Sequence, residues 1–286
     1  MKVLLTGAGG QLGRCFNDLA PKGWEILAVD SNALDITNFD LVKETVSAFN
    51  PDVIVNAAAY TAVDKAENDV ELAALVNECG PRNLALVAQE TGCRLVHVST
   101  DYVFDGLATT PYQETDKTNP LSVYGKTKLD GESAVLNVHP GTIVIRTAWV
   151  FSEYGNNFVK TMLRLGKQRD SLGVVSDQFG CPTYAGDIAV AIIGLLQKDI
   201  AGGIYHFCGD NQVSWSEFAE VIFATAVKKG LLEKAPVVNA ISTKQYPTPA
   251  ARPKYSVLDC SKIKQHGIAL SDWKSKIESV ILHTVV

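Results

Sequence analysis

Along the first half of the chain, short apolar runs alternate with longer stretches whose apolar residues recur every three or four positions. The runs Lys2–Thr6, Glu25–Val29, Val53–Ala57, Arg94–Val98 and Thr142–Ile145 are short and rich in β-branched residues and leucine, which predicts strands. The stretches Gln11–Leu19, Phe39–Phe49, Leu72–Gln89 and Leu121–Leu136 have helical spacing. The second of them stops at Asn50-Pro51, where proline bars continuation, and Gly80-Pro81 is expected to divide the third. Nearly continuous apolar strands that alternate with helices imply a parallel sheet covered on both faces.

The second half is less regular. Phe158–Gly166, Ala185–Gln197 and Trp215–Lys229 read as helices, and Gly173–Val175 is expected to rejoin the sheet. From about Asp210 the pattern loosens into a tail punctuated by Pro236, Pro247, Pro249 and Pro253. The expected fold is α/β, a Rossmann-like doubly wound parallel sheet with a smaller C-terminal substrate-binding lobe. Residues 1–150 would form the dinucleotide-binding domain, with 173–206 returning to it. Residues 151–172 and 207–286 would form the lobe.

Composition narrows the function. The chain has 286 residues, 47% of them hydrophobic and 20% charged, which is globular composition. A net charge of -5 argues against a protein that works by neutralising nucleic-acid phosphates or by sitting on an anionic membrane. The longest apolar run, Ile188–Leu196, is about half of what a bilayer requires. The opening MKVLLTGAGG is too short in apolar residues for a signal peptide. Cysteines at 15, 79, 93, 181, 208 and 260 form no CxxC pair and are read as reduced thiols, and no metal site is expected. A cytoplasmic enzyme is the expectation.

Gly7, Gly10 and Gly13 stand three apart between a predicted strand and a predicted helix. One glycine permits the tight turn, one lets the backbone reach a pyrophosphate, and one lets helix pack on strand. The pyrophosphate would rest on free N–H groups of the helix start. Asp30 ends the second strand, where a carboxylate accepts from the adenosine ribose hydroxyls and repels a 2′-phosphate. Ser31–Leu34 contain no Arg or Lys to offset that repulsion, so Asp30 favours NADH. Asp35 and Ile36 follow, where they would flank the adenine. Asn56–Thr61 (NAAAYT) ends the third strand, and its small side chains would let a cofactor lie close.

The reacting groups are sought at the carboxyl ends of the strands. Among nine tyrosines only Tyr124 has a lysine, Lys128, four residues on, and on a helix the two share a face. A phenol titrates near 10 and is a poor acid-base group at neutral pH, and an ammonium beside it would lower that pKa. Tyr124 would then give a proton to a carbonyl oxygen, and Lys128 would also hold a ribose. Ser99-Thr100-Asp101 follows the fourth strand, and a hydroxyl there would bond the substrate carbonyl. His97, His139 and His206 are read as structural.

Together these residues resemble the extended short-chain dehydrogenase/reductases. VNAAAYTAVDKAE (Val55–Glu67), STDYVFDG (Ser99–Gly106), YGKTK (Tyr124–Lys128), RTAWVF (Arg146–Phe151), DQFGCPT (Asp177–Thr183) and PTPAARP (Pro247–Pro253) are similar, more narrowly, to the dTDP-4-dehydrorhamnose reductase family. The resemblance spans essentially the whole chain. It implies reduction of the 4-keto group of a dTDP-6-deoxy-hexulose to dTDP-L-rhamnose with NADH or NADPH. By motif it makes Thr100, Tyr124 and Lys128 the catalytic trio. It puts Gly10, Gln11, Leu12, Asp30, Asp35, Ile36, Ala59, Tyr60 and Val98 on the cofactor. Asp101 and Trp149 would line the sugar-nucleotide site, with Asn157 and Arg252 as further substrate-side residues. Some members dimerise around Mg²⁺ held partly by an acid at the start of the first helix. Here that place reads Arg14-Cys15, so a monomer or a metal-free homodimer is expected. Thr100-Asp101-Tyr102 lacks the Glu that follows Thr-Asp in dehydratases of the fold. An epimerase, a non-catalytic regulatory subunit and a reductase of another 4-keto-6-deoxy nucleotide sugar remain as alternatives.

Overall fold

The computed structural model describes residues 1–198 and 200–284. Its frame is a six-stranded, all-parallel sheet. In chain order, β1 (Lys2–Thr6), α1 (Gln11–Leu19), β2 (Glu25–Val29), α2 (Phe39–Phe49) and β3 (Val53–Asn56) come first. They are followed by α3 (Gly80–Thr91), β4 (Arg94–Thr100), α4 (Val123–Val138) and β5 (Ile143–Thr147). Then come α5 (Phe158–Gly166), β6 (Ser171–Val175), α6 (Ala185–Leu196), β7 (Gly203–His206), α7 (Trp215–Lys228), β8 (Val237–Ile241) and α8 (Trp273–His283).

The sheet order is β7-β5-β4-β3-β1-β2. The chain therefore leaves β1 toward one edge and resumes at β3 toward the other. Ligands bind at such a reversal, outside the carboxyl ends of the strands. One apolar core lies between the sheet and α1 with α6, and a second lies between the sheet and α2 with α3. All four residues of β3 and all five of β5 are buried, with the polar Asn56, Arg146 and Thr147 at their carboxyl ends.

Two expectations need correction. Gly173–Val175 does not rejoin the central sheet, and of the 173–206 span it is α6 and β7 that return to it. The strand β6 pairs in parallel with β8. Its burial alternates, with Leu172 and Val174 packed in a separate core with Phe218, Ile222 and Trp273 and with Ser171 and Gly173 exposed. A strand wet on one face suits a peripheral two-stranded sheet. Gly80-Pro81 does not divide its helix either. Helical structure runs unbroken from Val70 to Thr91, with a π-helical turn at Leu75–Cys79. Pro81 has no N–H to give the Asn77 carbonyl four residues back, and the wider turn absorbs that lost bond.

Candidate active site

The glycine turn is built by close approach. Gly7 has φ of 68°, and a Cβ there would lie 2.5 Å from the Ala58 nitrogen. A Cβ on Gly13 would collide with the Gly7 carbonyl. Gly10 caps α1 without any side-chain bond, so the first-turn N–H groups of Gln11, Leu12 and Gly13 are left to an anion. This uncapped end and the tight turn fit a dinucleotide pyrophosphate. Asp30 is exposed at the end of β2 and accepts from the Asn32 and Ala33 N–H groups at 3.0 Å each, which fixes its carboxylate.

The other cofactor-side residues divide. Ala59 and Tyr60 are half-buried and Thr61 is exposed, just past the end of β3. Asp35 is exposed and accepts from the Thr37 N–H at 2.9 Å. The Ile36 side chain instead enters the core, close to where a Gly80 Cβ would stand. Only its backbone lies at the surface loop, bonded through its carbonyl to Asn83.

Thr100 ends β4, and its hydroxyl donates to Asp101 Oδ1 at 3.0 Å and accepts from the Tyr102 N–H at 3.2 Å. Asp101 is buried, its Oδ2 has no partner among the described residues, and burial pushes its carboxyl up to about 6. Tyr124 lies on the first turn of α4, which Ser122 caps, and packs edge-on against Tyr102 with ring centres 5.4 Å apart. Gly125 lets that turn come so near: a Cβ there would strike the Tyr102 carbonyl.

Lys128 is buried and donates to the Val98 carbonyl at 2.7 Å. Burial pushes Tyr124 up to about 12, and the Thr100 hydroxyl is what pulls it the other way. The four-residue spacing gives the two side chains one face, and the Lys128 ammonium donates to the strand carbonyl beneath it. Burial lowers Lys128 itself to about 8, against the field of Glu132.

Three site elements had no sequence signal. Asn77, in the π turn, accepts from the Tyr60 N–H at 2.8 Å. It donates to the Tyr60 carbonyl and to Thr127 Oγ1, both at 3.1 Å, and so ties the end of β3 to α4. Trp215 stacks on Trp149, with ring centres 3.5 Å apart and planes 6° from parallel. Trp149 has φ of 47°, a strained conformation for a bulky residue, and its indole occupies the space that a Gly180 Cβ would need. Asp64 grips Arg252 with both carboxylate oxygens, at 3.0 and 2.7 Å. Asn157 caps α5 and donates to Gln11 Oε1 at 2.9 Å, joining the start of α5 to the start of α1.

This arrangement has well-defined relatives. The RmlD substrate binding domain family matches residues 1–285. A protein of Aggregatibacter actinomycetemcomitans named dTDP-4-dehydrorhamnose reductase is 52% identical over 287 residues, covering 98% of each chain. The chain belongs to the dTDP-4-dehydrorhamnose reductase family. Another member, from Salmonella typhimurium, is 43% identical over 98% of this chain and 97% of its own. The solved structure of a Bacillus anthracis member in complex with NADP superimposes with a TM-score of 0.93, at 39% identity over 99% of both chains. A Thermus thermophilus UDP-glucose 4-epimerase structure, at 22% identity and a TM-score of 0.79, shares the fold. The described residues hold no helix long and apolar enough to cross a membrane.

Proposed function

We propose that this chain reduces the 4-keto group of a dTDP-4-dehydro-6-deoxy-L-hexose to give dTDP-L-rhamnose, with NADH or NADPH as reductant. The observation that carries the reading is the full-length match to named reductases of this activity together with Thr100 at the carboxyl end of β4 and Tyr124 and Lys128 on α4, at the same edge of the sheet from which the glycine turn leaves β1.

Gly7, Gly10, Gln11, Leu12 and Gly13 would hold the pyrophosphate, Asp30 the adenosine ribose, and Asp35 the adenine edge. Ala59, Tyr60, Thr61, Val98, Tyr124 and Lys128 would line the nicotinamide half. When bound, the reduced nicotinamide supplies the hydride for the carbonyl carbon. Tyr124 is protonated at neutral pH because burial disfavours its phenolate, so it is in the form that gives a proton to the sugar oxygen. The Thr100 hydroxyl sits at the same strand end and shares the developing charge. Asp101, Trp149, Asn157 and Arg252 line the sugar-nucleotide side, Asn157 by fixing the loop and Arg252 by presenting a cation.

The lobe of residues 151–172 and 207–286 would bind the nucleotide sugar, while 1–150, with α6 and β7, would hold the cofactor. The enzyme would act in the cytoplasm as a monomer or a metal-free homodimer, and light scattering that halves in mass on chelation would contradict that. The direct test is oxidation of NADH and NADPH with dTDP-4-keto-6-deoxy-L-lyxo-hexulose. Formation of dTDP-L-rhamnose with both, NADH at least as good, is the expected result. Tight binding of reduced cofactor without turnover would overturn it.

A further inference from the structure

One buried charge pair has no part in the reaction as described. Glu132 and Arg146 are each 2% exposed. Arg146 Nη2 donates to Glu132 Oε2 at 2.7 Å and its Nε donates to Oε1 at 2.9 Å. Ser99 Oγ also donates to Glu132 Oε1. Behind them, Arg146 Nη1 faces His206 Nε2 at 3.4 Å, and His206 Nδ1 bonds the Tyr112 carbonyl at 3.0 Å. Burial and the neighbouring guanidinium hold His206 down at about 3, so it is neutral and accepts from Arg146.

A buried ion pair adds little net stability, because desolvation cancels most of its attraction. What this one provides is position. Glu132 follows Tyr124 and Lys128 at four-residue steps, so all three lie on one face of α4. Its partners stand on the strands beneath. Ser99 immediately precedes Thr100 on β4, and in the β4–β5 register it is opposite Arg146.

We propose that Glu132 is a positioning residue for the reduction: through Arg146 and Ser99 it locks the helix that carries Tyr124 and Lys128 to the strand that carries Thr100. The proposal rests on the reading that those three residues perform the chemistry. Lys128 is faced by Tyr124 and Glu132 from its own helix, and by His97 and the Val98 carbonyl from β4. His97 is neutral, since burial holds it well below its usual range. Glu132 is the carboxylate whose field keeps Lys128 protonated.

The test compares E132Q, E132D and the apolar pair E132L/R146M with the wild-type protein. E132Q leaves Arg146 buried without its counter-charge, so the apolar pair provides a second folded comparison. In E132Q and in the apolar pair, kcat should fall about 10- to 100-fold with KM changed less than about threefold. The alkaline limb of kcat/KM should move to lower pH, because Lys128 loses the negative charge that opposes its deprotonation. E132D should keep the limb where it is. Hydrogen exchange of Arg94–Thr100 and Val123–Val138, measured without substrate, should quicken in E132Q while the melting transition stays cooperative. A folded apolar pair with wild-type kcat and an unmoved limb overturns the proposal, as does unchanged exchange in a folded E132Q. If the wild-type chain fails to reduce the keto sugar, the functional reading falls, and the exchange comparison still decides whether Glu132 locks α4 to β4.

Discussion

At the scale of single residues, burial decides the protonation states that matter. Tyr124 is pushed up to about 12, so Y124F removes the proton donor without removing a charge. Turnover should fall about 10²- to 10⁴-fold in NADH oxidation, with NADH affinity retained. Lys128, lowered to about 8 by burial, is an ammonium below that pH and neutral above it. The kcat/KM of the wild-type protein should therefore decline as pH rises through about 8, in a profile taken at constant ionic strength. These residues were legible in the sequence because spacing on a helix is a local property. Their titration was not, because it depends on which strand carbonyl the lysine meets. Ile36 shows the same limit: its place after β2 could be read, but its turn into the core against Gly80 could not.

At the scale of elements, the close approach of α4 to the π turn can be tested directly. A Cβ on Gly131 would collide with the Asn77 carbonyl. G131A should lower the melting temperature, at a cost of about 1–3 kcal/mol from overpacking, and should weaken turnover by shifting Lys128. G13A should abolish NADH binding in a fluorescence titration, because the helix can no longer close on the Gly7 carbonyl. Strands and helices of the first half were readable because each central strand is buried along its length and each helix has one apolar face. The π turn was not readable, since Gly80-Pro81 breaks most helices and the remedy lies four residues upstream. Nor was the pairing of β6, which needs its partner β8 more than sixty residues later.

At the scale of the molecule, the chain passes between the central sheet and the separate core of Phe218, Ile222 and Trp273 more than once. It leaves the sheet after β5, builds α5 and β6, returns through α6 and β7, and ends with α7, β8 and α8, of which α7 and α8 pack into that separate core. Arg252, from the proline-rich tail, is held by Asp64 beyond β3, so the tail is fastened to the cofactor-side frame. R252A should raise KM for the anionic nucleotide sugar about 10- to 100-fold while KM for NADH changes little, as initial-rate kinetics would show.

The face-to-face indoles of Trp149 and Trp215 carry a consequence of another kind. Two identical chromophores this close share their excited states, and the coupling splits their ultraviolet transitions into a pair of circular-dichroism bands of opposite sign. Trp273, fully buried beside Phe218, contributes an ordinary background. The couplet should vanish in W215F and change when dTDP is titrated into the wild-type protein. One ring follows β5 and the other begins α7, so the spacing between the sheet and that helix is written into the protein's own dichroism, legible without a label.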